Sequence, residues 1–283
     1  MFVQARPWTD CDRSCNFCYL KGGNKTDIEY KRKSLMRLAA EAHTMCTGAD
    51  TFGLIGGELF AFDDLYSEWT CVAESIVNKD SVERVFLGTH LLSGIDNLLD
   101  FAFMLNNKEV QICTSYDTSG RFVREGEYEI WLNNIKEVQD EGYKVVVSAT
   151  LTDSFIHDTS FIPPEGTDFK LQPYFISEAW LKEQYEKKAT TKEYCLALQS
   201  FQTNLPKRAD VLRYFETYPD IAKDYASYDG KHAGKFFDYD GTGYVEEKFV
   251  CSLFTADCGH PYIAYCYADS DECTMCDAKK VAE

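Results

Sequence analysis

The chain has no apolar run long enough to cross a bilayer, and its N-terminus lacks a charged-then-apolar leader pattern. The expectation is a cytoplasmic protein with no membrane partner. Basic residues are outnumbered: 29 Lys and Arg stand against 46 Asp and Glu, a formal net charge of −17. So acidic a balance disfavours an extensive nucleic-acid surface, because phosphate binding is driven by clustered cations. Internal repeats and low-complexity tracts are also absent. The 283 residues therefore suit one large domain with an appendage, or two modest domains. Cysteine, by contrast, is plentiful. Twelve in an unsecreted chain argue for metal and a reducing compartment, not for a disulfide framework. A hydrophobic content of 45% supports a proper core. The scarce cations are unevenly spread, with eight Lys/Arg against four Asp/Glu in residues 1–40. That arc could meet a phosphate or a carboxylate, although a solvated surface is the plainer reading.

Strand and helix patterns alternate at short intervals, the mark of βα units on a parallel sheet. Strands are expected at residues 1–5, 51–55, 84–87, 110–115, 144–148 and 169–175. Between them, Leu35 to Cys46 recur at helical spacing up to Gly48, followed by helices around Trp69 to Ile76, Leu98 to Leu105 and Glu127 to Asp140. The crossover after strand five is poorly helical and stops at Pro163-Pro164. Six such units predict an α/β fold, a partial (β/α)6 TIM-like barrel, whose working face lies at the carboxyl ends of the strands.

Immediately after the first strand comes CDRSCNFC, which places Cys11, Cys15 and Cys18 on one short loop. Three thiolates on a small arc of backbone suit a [4Fe–4S] cluster, and the missing fourth cysteine leaves one iron open to chemistry. A zinc site or a redox thiol pair is the competing reading of the spacing. The motif resembles the CxxxCxΦC signature of the radical S-adenosylmethionine (radical SAM) superfamily. One βα unit later, IGGELF places Gly56, Gly57 and Glu58 at the end of strand two, and it resembles that family's GGE motif. The resemblance implies that the open iron chelates SAM and that the GGE stretch binds the SAM amino group. It also implies ribose contacts from Ser115 and Asp117 at the end of strand four, and Phe17 as an adenine neighbour. Ser115 and Asp117 read equally well as a strand-end turn, and Arg121 beyond them as a solvated arginine or a carboxylate clamp. The cysteines Cys46, Cys71, Cys113 and Cys195 sit singly in apolar stretches and read as small core residues.

Five more cysteines crowd the end of the chain: Cys251, Cys258, Cys266, Cys273 and Cys276. Before them, a hairpin is expected to turn at Asp240-Gly241. Its DYDGTG is no calcium loop, because Phe249 stands where the bidentate glutamate belongs. A hairpin followed by cysteines resembles the SPASM or twitch extensions of radical SAM enzymes. Cys258, Cys266, Cys273 and Cys276 are the expected ligands of a second Fe–S cluster or a zinc, with Cys251 as alternate. The expected division is 1–178 barrel, 179–230 helical connector shielding its open side, and 231–283 Cys-rich metal-binding extension.

The resemblance implies an enzyme: an external electron donor reduces the cluster, SAM is cleaved, and the 5′-deoxyadenosyl radical takes a hydrogen atom from a substrate. The tail favours a peptide or protein substrate. The basic arc offers thin support for a nucleobase or nucleotide, and a non-catalytic Fe–S or zinc interaction protein is the third reading. No catalytic acid or base is legible.

Overall fold

In the computed structural model of the chain, the described residues are 1–13, 15, 18, 25–117, 121–173, 205–227, 235–247 and 274–282. The six expected strands are present: β1 (Phe2–Arg6), β2 (Thr51–Leu54), β3 (Arg84–Gly88), β4 (Glu109–Tyr116), β5 (Lys144–Leu151) and β6 (Asp168–Pro173). They lie parallel in the order 6-5-4-3-2-1, so each strand pairs with its predecessor in sequence. Between them run α1 (Ile28–Met45), α2 (Tyr66–Val77), α3 (Ile95–Met104), α4 (Glu127–Asp140) and the short α5 (Asp153–Ile156). The last is a single turn, as the proline-stopped crossover leads one to expect.

Alternation along the strands decides which face is which. Val3, Ala5, Phe52, Leu54, Val85, Leu87, Ile112, Val145, Val147 and Ala149 are all fully buried against the helix layer. On the other face lie Gln4, Phe86, Cys113, Ser115 and Ser148, which are only partly buried. In-register pairs such as Leu54 beside Leu87 and Ile112 beside Val145 continue the apolar layer across the sheet.

Helix α1 begins seven residues before the apolar periodicity does. Asp27 caps it, its carboxylate accepting the Tyr30 N–H at 2.7 Å. The first two turns hide this start because they carry Lys31, Arg32 and Lys33, and Lys31 turns inward to 2% exposure. At the far end Gly48 takes a φ of +74°, which ends the helix without a Cβ penalty.

The hairpin forms at the expected place, but it joins the barrel's own sheet. β7 (Lys235–Tyr239) runs parallel to β1, with Ala5 beside Phe237 and Arg6 beside Asp238, and β8 (Tyr244–Glu247) returns antiparallel. Arg6 grips the Asp238 carboxylate through Nε and Nη2. The sheet therefore has eight strands, two more than the six expected. In the turn, Asp240 Oδ1 accepts from the Thr242 and Gly243 N–H groups, and Gly241 sits at φ +99°. The carboxylate that superficially suggests calcium thus holds its own loop.

After β6 the described chain resumes with α6 (Arg208–Thr217) and α7 (Pro219–Ser227), and α7 packs on β6. The closing helix α8 (Thr274–Ala282) lies on α6 and α7. Arg208 forks onto the buried Asp277 carboxylate at 2.8 and 3.0 Å, and Tyr225 bonds Thr274 at 2.9 Å. No described helix is long and apolar enough to cross a membrane.

Candidate functional site at the strand ends

The loop that carries the three cysteines leaves β1 and is fastened at both ends. Trp8 is 2% exposed, and its indole N–H donates to the Glu58 carbonyl at 3.1 Å. The Asp10 carboxylate accepts from the Lys31 ammonium at 2.7 Å and from the Thr26 N–H at 3.3 Å. Lys31 also donates to the Thr26 carbonyl at 2.6 Å, with Phe62 4.3 Å away on its π face. One buried ammonium thus ties residue 10 to residue 26 across the base of the loop. The Ser34 hydroxyl adds a bond to the Pro7 carbonyl at 2.9 Å.

Gly56 and Gly57 are needed because this loop passes directly over them. A Cβ on Gly57 would stand 1.9 Å from the Asp10 carbonyl oxygen, and one on Gly56 2.5 Å from that of Trp8. The same approach puts the Gly57 N–H on the Trp8 carbonyl at 3.1 Å and the Glu58 N–H on the Asp10 carbonyl at 2.9 Å. Glu58 turns inward to 1% exposure. Its carboxylate accepts from the Thr89 hydroxyl at 2.9 Å, the His90 N–H at 2.8 Å and the Phe60 N–H at 3.2 Å. The side chain therefore holds the loop after β3 to the loop after β2.

His90 and the β4–α4 segment complete the mouth. His90 Nε2 lies 2.9 Å from Asp12 Oδ1, and its Nδ1 accepts the Leu92 N–H at 2.9 Å. These bonds place the ring proton on Nε2. The hydrogen bond from His90 holds the Asp12 carboxyl down at about 2. Arg13 reaches the other way, donating from Nη1 to the buried Glu127 at 2.7 Å, while Glu127 Oε2 accepts the Val123 and Arg124 N–H groups. Arg121 is 5% exposed and donates to the Ser115 carbonyl and, at 2.8 Å, to the Ser115 hydroxyl. It also lies against the Cys15 thiol. Burial pushes the Cys11 thiol up to about 11 and raises that of Cys15, partly offset by the Arg121 charge. The Cys18 N–H closes a turn onto the Cys15 carbonyl at 3.0 Å.

No family model matches the chain, and no curated protein matches it. Solved structures do. Native anSMEcpe with bound AdoMet and Cp18Cys peptide, an anaerobic sulfatase-maturating radical SAM enzyme, aligns with a TM-score of 0.55 at 12% identity. The match covers 98% of this chain and 79% of that one. The same enzyme with AdoMet and Kp18Cys peptide gives 0.52 at 12% identity, and its histidine-tagged form with AdoMet gives 0.50 at 13%. In those two structures the match spans 60% of the neighbour's length. The fold is the partial (β/α) barrel of those structures.

At 12–13% identity this likeness carries the fold and nothing finer. In this partial barrel the described expected residues Cys11, Cys15, Cys18, Gly56, Gly57, Glu58, Ser115 and Asp117 all fall on loops or strand ends at the carboxyl side of β1, β2 and β4. Asp117 is 2% exposed. The solvated reading of Arg121 does not hold, since the side chain is buried and anchored. Phe17, Cys251, Cys258, Cys266 and Cys273 lie outside the described residues, and Cys276 is described only as part of the α8 backbone. Sequence reasoning missed Asp10, Lys31, Asp12, His90 and the Arg13–Glu127 pair. Only His90 carried a usable signal, standing two residues past β3 in a chain with five histidines.

Proposed function

We propose that the chain is a radical SAM enzyme that modifies a peptide or protein. The observation that carries the reading is the three-cysteine loop, fastened over Gly56-Gly57 at the mouth of a barrel whose solved neighbours hold AdoMet and peptides. The donor set fits the group. Three cysteines leave one cluster iron for SAM, and the adjoining Arg121 supplies positive charge against thiolates that burial otherwise disfavours. Cys11, Cys15 and Cys18 would hold the [4Fe–4S] cluster. Backbone groups of Gly56 and Gly57 would face the SAM amino group, and Ser115 and Asp117 its ribose, with Phe17 beside the adenine. Bound cluster and SAM supply one-electron cleavage of the sulfonium and removal of a hydrogen atom from substrate.

The chain's own work is positional. Lys31 fixes the loop base, Arg13 and Glu127 fix its middle to α4, and Glu58 holds the β2 and β3 loops together. Glu58 therefore acts through the loops rather than by direct contact with SAM. An external electron donor completes the system. Cys258, Cys266, Cys273 and Cys276 are proposed as a second metal centre, Fe–S or zinc, with Cys251 as alternate.

A nucleotide substrate has less behind it. Six of the eight cations in residues 1–40, Arg6, Arg13, Lys31, Arg32, Lys33 and Arg37, already pair with carboxylates of this chain. The test is anaerobic reconstitution with iron and sulfide, reduction, and assay for 5′-deoxyadenosine and methionine. Cleavage is expected in the parent and absent in the triple Cys11, Cys15, Cys18→Ala variant. Equal cleavage in both would overturn the assignment.

A further inference from the structure

We propose that Cys11, Asp12 and His90 form a site for a single divalent transition-metal ion of the zinc or ferrous class on the cluster-free protein. Occupation of this site excludes Cys11 from serving a cluster. The proposal goes beyond the function above and stands without it, because it uses only side chains already assembled in the fold.

The three donor atoms come from two places separated by nearly eighty residues. Cys11 and Asp12 lie on the loop after β1, and His90 on the loop after β3. Their ligand atoms all lie within 4.8 Å of one another. A tetrahedral ion with ligands at about 2.0–2.3 Å holds its donor atoms about 3.3–3.8 Å apart, so a closure of about 1 Å between the two loops completes the site. Thiolate, imidazole and carboxylate together select borderline ions over magnesium or calcium, which prefer all-oxygen sets. Three protein ligands leave a fourth position for water.

The surroundings are those of a metal-binding histidine. His90 is buried, and its Nδ1 stands 3.2 Å from Glu58 Oε2. In the metal-free arrangement Nδ1 accepts the Leu92 N–H and Nε2 points its proton at Asp12. With an ion on Nε2, the ring proton moves to Nδ1, where Glu58 accepts it and Leu92 releases its bond. Carboxylate, histidine and metal then stand in the order that commonly fixes ligand orientation. Asp12 Oδ2 is held 3.4 Å from Arg13 Nε, which leaves Oδ1 for the ion. The Asp12 side chain is 52% exposed, so the ion has a path in from solvent. Binding exchanges the thiol proton of Cys11 for the metal bond and releases that proton to water.

The experiment titrates Co²⁺ into chelator-stripped, reduced full-length protein and follows the thiolate-to-cobalt charge-transfer absorption. Tail thiols contribute a signal of their own, so the readout is the difference between parent and variant. Asp12→Asn and His90→Gln should each lose this component or weaken it by about tenfold or more, while Cys18→Ala keeps it. Asp12→Asn alters a half-exposed side chain and keeps the test valid should His90→Gln unfold, as checked by circular dichroism. Identical titrations in parent and Asp12→Asn would overturn the site. A loss in Cys18→Ala equal to that in Asp12→Asn would also overturn it, by giving the ion to the three cysteines. If the site fails while the parent still cleaves SAM, the enzyme reading survives. If cobalt binding depends on Asp12 while no cluster or cleavage is obtained, the site stands and the enzyme reading falls.

Discussion

At the scale of single residues, the decisive contacts are those that let two loop backbones touch. Gly57 has no room for even one methyl group, since the Asp10 carbonyl oxygen would stand 1.9 Å from it. Gly57→Ala should therefore displace the cysteine loop and destabilise the protein by about 3 kcal/mol or more, beyond ordinary overpacking. Urea unfolding measures this, and a cost under about 1 kcal/mol, within the common run of substitutions, would mean that the loops are not so close. Glu127 gives a second residue-level outcome. Burial pushes its carboxyl up, but the Arg124 and Val123 N–H groups and the Arg13 guanidinium outweigh that and hold it below the usual carboxylate range. A folded value below the unfolded one, about 4.3 for glutamate, means stability that is complete above that value. It is lost as the pH falls through the folded one. Thermal melting of parent and Glu127→Gln should show a gap at pH 7 that narrows progressively below about pH 4.3. Parallel curves down to the acid limit would show that the Arg13 pair adds nothing to the folded state.

At the scale of elements, what could be read from sequence depended on whether the physics was local. The strands β1 to β4 were legible because each is a short apolar run followed by a helix of matching periodicity, and β5 by its apolar run alone. The residues 127–140 of α4 were legible to the ends, with Trp131, Ile135 and Val138 all buried. The start of α1 was not, because its second turn buries a lysine, a choice that makes sense only once Asp10 and the Thr26 carbonyl are nearby. The site divides the same way. Spacing brings out Cys11, Cys15 and Cys18, and resemblance to a family motif brings out the GGE stretch, since each of these is contiguous in the chain. Neither could reveal that Glu58 faces inward, or that His90 meets Asp12, because those pairings are made by the barrel bringing β2 and β3 loops under the β1 loop. The resemblance assigns the GGE stretch to the SAM amino group, and the structure shows what crowds its two glycines: the cysteine loop itself.

At the scale of the whole molecule, the sheet order makes β1 an interior strand only through β7. Deleting residues 235–247 should uncover the outer edge of β1 along its full length and leave Arg6 without Asp238. An exposed edge templates pairing with other chains, so the deletion variant is expected to associate, seen as a rise in light scattering and a concentration-dependent sedimentation profile. A monomeric, well-folded deletion variant would show that this edge is protected by other means. The pairing of β1 with β7 also has a consequence for how the protein is made. On the ribosome β1 emerges long before Lys235, and throughout that interval the strand bearing the cysteine loop has one open side. The segment that carries the thiols is thus mounted on a strand that is made early and enclosed late, so metal delivered during synthesis meets a loop whose support is still half built.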